Sequence, residues 1–460
     1  NIGSIFGPGK RSDVPGHEEI EMGLVKLYRV TGEKKYLDLA GFFLEERGQE
    51  SRRKIYGQYC QDHKPVREQD EIVGHSVRAM YLYAGVTDVA ALTGDEGFIR
   101  ALGKLWDSMV GGKMYITGGV GASREGEAFG GDYDLPNAEA YAETCAAIGL
   151  AFWSYRLNLL HGDASYFDVC ERAMYNGLLS GVSLDGKTFF YVNPLEADGK
   201  TKFNNGANQR KGWFGTSCCP SNIVRFIPSI GGYMYAVDDK GVYVNLYAAG
   251  TGKIKWADKS VMIKQETRYP WEGKVKLTIE PEKEGEFAVN LRIPGWVRGE
   301  PVPSDLYRFA DGLSVDETKA KIKINGKEQA KWDLQKGYAK LSRKWQKGDV
   351  IELDMPMPVR RVAAHEKVEA DRGKVALQRG PIVYCLEEVD NGPELWEIKL
   401  PKESKLTTEY HPELLGGVVV VKGKGIAQKG KASEVDFAAV PYYSWNNRGA
   451  DQMIVWIPSI

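Results

Sequence analysis

The adjacent cysteines of Ser217-Cys218-Cys219-Pro220 are the residues in this chain best suited to chemistry. Pro220 fits the first position of a helix, where its missing N–H costs nothing. That would put Cys219 near the cap and Cys218 just before it. The positive end of a helix favours thiolate over thiol. Adjacent cysteines are poorly placed to bridge each other, which leaves two uses: metal binding, or packing as small buried hydrophobes. A second group, Glu143-Thr144-Cys145, precedes an apolar helix. If it is an extended lead-in, Glu143 and Cys145 point to one side. Three thiolates and a carboxylate form a donor set that zinc accepts, although the spacing is not that of a zinc finger. Alternatively, Glu143 only complements the helix dipole beside a core cysteine.

A third feature is the loop over residues 123–136, with Glu125, Glu127, Asp132 and Asp134 on a glycine-rich backbone. Two carboxyl groups flanking a bond are the usual equipment of glycoside cleavage, while a solvated acidic loop has the same composition. His75 opens a helix, and His17 opens the preceding repeat at the matching place. Two histidines at equivalent helix starts would point towards one mouth. Tyr191 is read either as a sugar contact or as core.

The elements that must position these groups change character along the chain. Residues 17–29, 36–44, 77–92, 98–110, 146–160 and 166–179 carry apolar residues at helical spacing. They form three pairs, broken at Thr31-Gly32, Thr93-Gly94 and His161-Gly162. Repeated helix pairs stack as an open solenoid or close into a toroid. The long insert over residues 117–136 favours a toroid with a functional loop at its mouth. A closed six-pair toroid would need further chain before Asn1. Beyond about residue 232 the pattern turns to strands, at 242–247, 274–279, 287–293, 380–384 and 453–456, with turn signals such as Asn325-Gly326. The expected organisation is multidomain α + β: a helical catalytic portion over residues 1–232, a β-sandwich over 233–358 and a second over 359–460.

Composition bounds the partners. The chain has 460 residues, 43% hydrophobic and 27% charged, with a formal net charge of −1. That is an ordinary globular balance, with no single-sign field for nucleic acid or an anionic membrane. No apolar run is long enough to span a bilayer. Six cysteines are too few for a disulfide framework at this length. Localisation signals are not legible.

Taken together, the Gly-Gly-Val-Gly-Ala-Ser and Glu-Ala-Phe-Gly segments, Glu-Thr-Cys-Ala, Cys-Cys-Pro-Ser-Asn, Arg379-Gly380-Pro381 and the 441–449 segment resemble glycoside hydrolase family 127, the β-L-arabinofuranosidases. The resemblance runs over essentially the whole chain. It implies an (α/α)6 barrel, partial in this chain, followed by β-sandwich domains. It also implies Zn2+ on Glu143, Cys145, Cys218 and Cys219, with Cys218 as nucleophile, Glu127 as acid/base, and His75 and Tyr191 on the substrate side; His17 joins them by its matching position. The expected activity is retaining hydrolysis of β-L-arabinofuranosides or related furanosides. The expected partners are an oligosaccharide or glycan, a homodimer mate, and a missing amino-terminal segment that completes the barrel. The alternatives are a sugar epimerase or lyase using His75 and Tyr191, and a non-catalytic carbohydrate-binding protein with structural zinc.

Overall fold

The computed structural model describes residues 1–393, 395–427 and 432–460. Its first half contains seven α-helices of nine residues or more: α1 Ile20–Thr31, α2 Lys34–Glu46, α3 Ser76–Thr93, α4 Glu96–Gly112, α5 Thr144–His161, α6 Ala164–Ala173 and α7 Cys218–Phe226. The first six form three pairs. Each pair turns on a glycine in the left-handed region: Gly32, Gly94 and Gly162, with φ of 72°, 69° and 60°. Left-handed backbone suits glycine at a helix end because a Cβ is disfavoured there.

The two members of a pair differ in how they are buried. Helices α1, α2, α4 and α6 bury one face, as amphipathic helices do. Helices α3 and α5 are buried nearly all round over their first three turns, and they pack against each other. They are the inner helices, and their amino-terminal ends lie side by side.

Helix boundaries differ from the sequence expectation in several places; the first helix, expected from His17, begins at Ile20. The helix predicted to run to residue 179 ends at Ala173, then widens into a π turn over Met174–Leu178 and a 3-10 turn over Leu179–Gly181. The cause is Asn176. Its amide donates to Arg172 O and Pro381 O, and its carbonyl accepts from Val383 N, so the turn is drawn towards the carboxy-terminal sheet. Helix α7 begins at Cys218, so Pro220 is its third residue and not its first. None of the first four N–H groups of a helix has an intrahelical partner, so proline is tolerated there too.

The middle region packs two sheets around one core. In the six-stranded sheet the order is Lys327–Glu328, Lys321–Ile324, Asp349–Asp354, Lys274–Pro281, Lys259–Thr267 and Gly250–Trp256. The five-stranded sheet runs Asp333–Gln335, Tyr338–Trp345, Gly285–Arg292, Gly241–Val244 and Tyr235–Asp238. Alternate residues such as Val261, Ile263, Leu277 and Ile279 meet Val242, Val289 and Leu291 between them. The strand expected to reach residue 247 stops at Val244, because Asn245 turns to bond Met234 and Arg292. Asn325 and Gly326, both with positive φ, make the two-residue turn expected of them.

The carboxy-terminal strands form one continuous eleven-stranded network, so the second β region is not two separately bonded sheets. It recruits Tyr307–Phe309 from the middle region and, through Gln452–Ile454, Glu196–Asp198 from the helical region. Val383, Cys385 and Val420 on one face join the helical core, while Tyr384, Leu386 and Val421 join a separate outer core. No helix among the described residues is long and apolar enough to cross a membrane.

Candidate active site

Three helix starts converge on one point. His75 caps α3 and Glu143 caps α5, both with extended backbone. Because α3 and α5 are neighbours, the two caps are neighbours. The expected extended lead-in shortens to Glu143 alone, since α5 already begins at Thr144. An extended cap followed by a helical second residue still lets Glu143 and Cys145 meet. Helix α7 packs against α5 and delivers Cys218 and Cys219 from its first turn.

The Glu143 carboxylate and the sulfurs of Cys145, Cys218 and Cys219 offer donor atoms that all lie within 4.8 Å of one another. Glu143 Oε1 lies 3.5 Å from Cys218 Sγ and 3.4 Å from Cys219 Sγ, and the two sulfurs are 3.9 Å apart. All six cysteines are free. Glu143, Cys145 and Cys219 are buried, whereas Cys218 is half-buried. Glu143 Oε2 is buried with no hydrogen-bond partner, an expensive arrangement unless something else satisfies it.

The cluster's electrostatics point the same way. Thiol hydrogen bonds from Cys145 and Cys219 pull Cys218 far below the usual thiol range. Cys145 is pushed well up, chiefly by its hydrogen bond to Cys218, and Cys219 is pushed well up by burial. Burial, then the Cys218 charge, holds Glu143 well above the usual carboxylate range. Burial and mutual repulsion therefore oppose ionisation of Glu143, Cys145 and Cys219 together with Cys218. Four deprotonated donors require a cation, and three sulfurs with one oxygen form a donor set for a soft or borderline metal. The residues fit a bound metal.

Glu127 approaches from the 117–136 insert. It closes a 3-10 turn over Glu125–Glu127 with φ of 51°, and Ala128 then bridges to His75. The turn is seated by Ser76, whose hydroxyl donates to Glu127 O at 3.0 Å. A Cβ on Gly121, where φ is 92°, would come within 2.6 Å of that hydroxyl, so only glycine fits beneath the turn. Glu127 Oε2 lies 2.9 Å from His75 Nε2, and Tyr141 Oη donates to Oε1 at 2.7 Å. The His75 contact leads in holding the Glu127 carboxyl below its ordinary range; burial opposes it and Tyr141 reinforces it. The remaining loop carboxylates Glu125, Asp132 and Asp134 do not line the site.

Tyr191 Oη sits 3.1 Å from Cys218 Sγ, and the Tyr191 ring packs on Tyr141 and Phe214. The His17 ring centroid lies 6.3 Å from that of His75. His17 stands two residues before the Glu19 cap of α1, so it is offset from the matching position expected for it. His17, His75, Glu127, Glu143, Cys145, Tyr191 and Cys218 all line one cavity of about 740 Å³, and Cys219 lies buried behind them. Sequence reasoning missed Tyr141, Tyr59, Arg78, Arg124 and Lys211, which share the same cavity or its contacts. For Tyr141 a signal existed, since it precedes Glu143 by two residues in the same segment.

Comparison with known proteins adds an independent finding. Residues 6–232 match the family model described as "Beta-L-arabinofuranosidase, GH127 catalytic domain". Residues 241–357 match the GH127 middle domain, and residues 359–458 the glycoside hydrolase family 127 C-terminal domain. A non-reducing end β-L-arabinofuranosidase of Bifidobacterium longum subsp. longum is 35% identical, over 98% of this chain and 72% of that protein. A solved GH127 β-arabinofuranosidase superposes with a TM-score of 0.94 at 48% identity, covering 100% of this chain and 71% of the other. A GH127 β-L-arabinofuranosidase from Geobacillus stearothermophilus T6 superposes with a TM-score of 0.91 at 44% identity, over 100% and 75%.

Proposed function

The chain belongs to glycoside hydrolase family 127 as a β-L-arabinofuranosidase-type hydrolase, and on that premise we propose that it releases non-reducing terminal β-L-arabinofuranosyl units with retention, Cys218 acting as nucleophile and Glu127 as acid/base. One observation carries this reading. Of the four clustered donors, only Cys218 is half-buried, and it faces the cavity that Glu127 also faces.

In the first half-reaction the Cys218 sulfur forms a bond to the anomeric carbon as the glycosidic C–O bond breaks. Glu127 gives its proton to the departing oxygen. In the second, water attacks the same carbon, Glu127 takes a proton from it, the C–S bond breaks, and Cys218 leaves as thiolate. Two inversions give net retention. His75 Nε2 lies 2.9 Å from the Glu127 carboxyl and orients it. A sugar that covers the carboxyl excludes water and favours the neutral form, which readies it as an acid.

Glu143, Cys145, Cys218 and Cys219 would hold zinc, which when bound keeps its sulfur ligands deprotonated at neutral pH. Tyr191 orients the Cys218 sulfur, and His17 and His75 receive sugar hydroxyls. The three helix pairs are read as a portion of an (α/α)6 toroid in a domain over 1–232, followed by β domains over 233–358 and 359–460. Membership of a hydrolase family sets aside the epimerase, lyase and non-catalytic alternatives.

The acid/base role is tested by Glu127→Gln on arabinofuranosides of graded leaving-group ability. Substrates with poor leaving groups should lose about 100-fold or more in kcat/KM, and activated aryl substrates far less. Equal losses on both would remove Glu127 from this role.

A further inference from the structure

Arg124 and Lys211 are two of the cations that line the cavity with Glu127. Arg124 caps the Glu125–Glu127 turn, so it stands three residues from Glu127. Its guanidinium donates to Phe203 O at 2.8 Å and lies 5.5 Å from the centre of the Tyr141 ring, the ring whose hydroxyl holds Glu127. Lys211 Nζ donates to Asn205 O at 3.0 Å and lies 5.2 Å from the centre of the Phe214 ring. Arg124 and Lys211 are therefore tethered to carbonyls two residues apart on one loop, and both line the cavity. Among the described residues neither forms an ion pair with a carboxylate. Backbone carbonyls and ring faces fix their positions without cancelling their charge.

Their place in the cavity assigns them a side. A nucleophile displaces its leaving group from the opposite face, and the general acid stands beside the leaving oxygen. Arg124 shares the acid's own turn, and Lys211 shares Arg124's anchoring loop. Arg124 thus stands with the acid, over the ring whose hydroxyl holds Glu127, and Lys211 joins it through the loop at 203–205.

We infer that Arg124 and Lys211 form a leaving-group subsite for a carboxylate-bearing aglycone, so that the enzyme prefers arabinofuranosyl units attached to an acidic sugar or to a hydroxyamino acid with a free carboxyl group. This rests on the arabinofuranosidase reading and on Glu127 as its acid. The shared chemistry is a carboxylate carried on the group that departs. Two preorganised cations should recognise it by charge-assisted hydrogen bonds, and arginine can do so bidentately.

The test uses the metal-loaded enzyme and two matched substrate pairs. One pair is a β-L-arabinofuranosyl glucuronate and its methyl ester; the other is a β-L-arabinofuranosyl N-acetylserine and its amide. The expected result is a kcat/KM at least about tenfold higher for the carboxylate of one pair or both. A preference in the sugar pair alone identifies a uronate, one in the serine pair alone a free or carboxy-terminal hydroxyamino acid, and one in both a general carboxylate site. The preference should shrink in about 0.5 M salt. It should also fall towards one in the double variant Arg124→Gln, Lys211→Gln. Equal kcat/KM within both pairs, or a preference untouched by the double variant, would overturn the subsite. If no arabinofuranoside is cleaved, the underlying activity fails instead, and calorimetric titration with glucuronate and its methyl ester decides the subsite separately. Tighter glucuronate binding that the double variant abolishes supports it; equal binding of the two overturns it.

Discussion

Two neighbours hold the Glu127 carboxyl below its ordinary range in the free site, and one of them can be removed cleanly. Tyr141→Phe keeps the ring and deletes the hydroxyl that donates to Oε1 at 2.7 Å. That donor lowers the Glu127 pKa, so without it the carboxyl should titrate at higher pH. The limb of the kcat/KM profile governed by Glu127 should then move towards alkaline pH by about one pH unit, since a donor to a charged group is worth about that much. A pH–rate series on both proteins reads this directly, and an unmoved limb would take Tyr141 out of the proton balance. The residues with rare chemistry were legible at this scale. Cys218, Cys219, Glu143 and Cys145 announced themselves by type and spacing, and the structure brings their donor atoms together. Tyr141 and Arg124 were not legible, because tyrosine and arginine fill cores and surfaces everywhere. Their meaning comes only from partners far along the chain, Phe203 among them.

Helix starts are the unit of construction in this site. His75, Glu143 and Cys218 stand at the beginnings of α3, α5 and α7, where unpaired N–H groups and the helix dipole favour negative charge. Apolar periodicity running up to a glycine found α3 and α5, and Pro220 marked α7. It could not place their first residues, and proline at 220 misled by two positions because any of the first helical positions can hold it. The donor cluster joins α5 to α7, so metal should act as a clasp between elements. Elemental analysis of the intact protein should find about one zinc per chain. Stripping it with a chelator should lower Tm by roughly 5 °C or more, since a ligand bound only by the native state stabilises that state. A protein that carries no metal while fully active, or whose Tm is indifferent to the chelator, would refute the clasp.

At the scale of the whole molecule, the β regions hold the helical region in shape through buried polar bridges. Arg292, fully buried on a middle-region strand, pairs with Asp168 at 2.6 Å and with Glu171, both on α6. Asn137 donates to Asp371 at 2.7 Å, and Arg210 donates to Trp445 O at 2.7 Å. The switch from helical to alternating pattern near residue 232 was plain in the sequence, because periods of 3.6 and 2 differ. The sharing of strands across regions was not, since Glu196–Asp198 and Tyr307–Phe309 are too short to carry a pattern. All this scaffolding serves to hold one sulfur facing one carboxyl across a cavity, and the central claim is that this sulfur attacks sugar. The most direct test is covalent capture on the intact, metal-loaded protein. An epoxide mimic of β-L-arabinofuranose, of the cyclophellitol type, should add one mass increment per chain, and peptide fragmentation should place it on Cys218. Capture on Glu143, Glu127 or Cys219 instead would contradict the account.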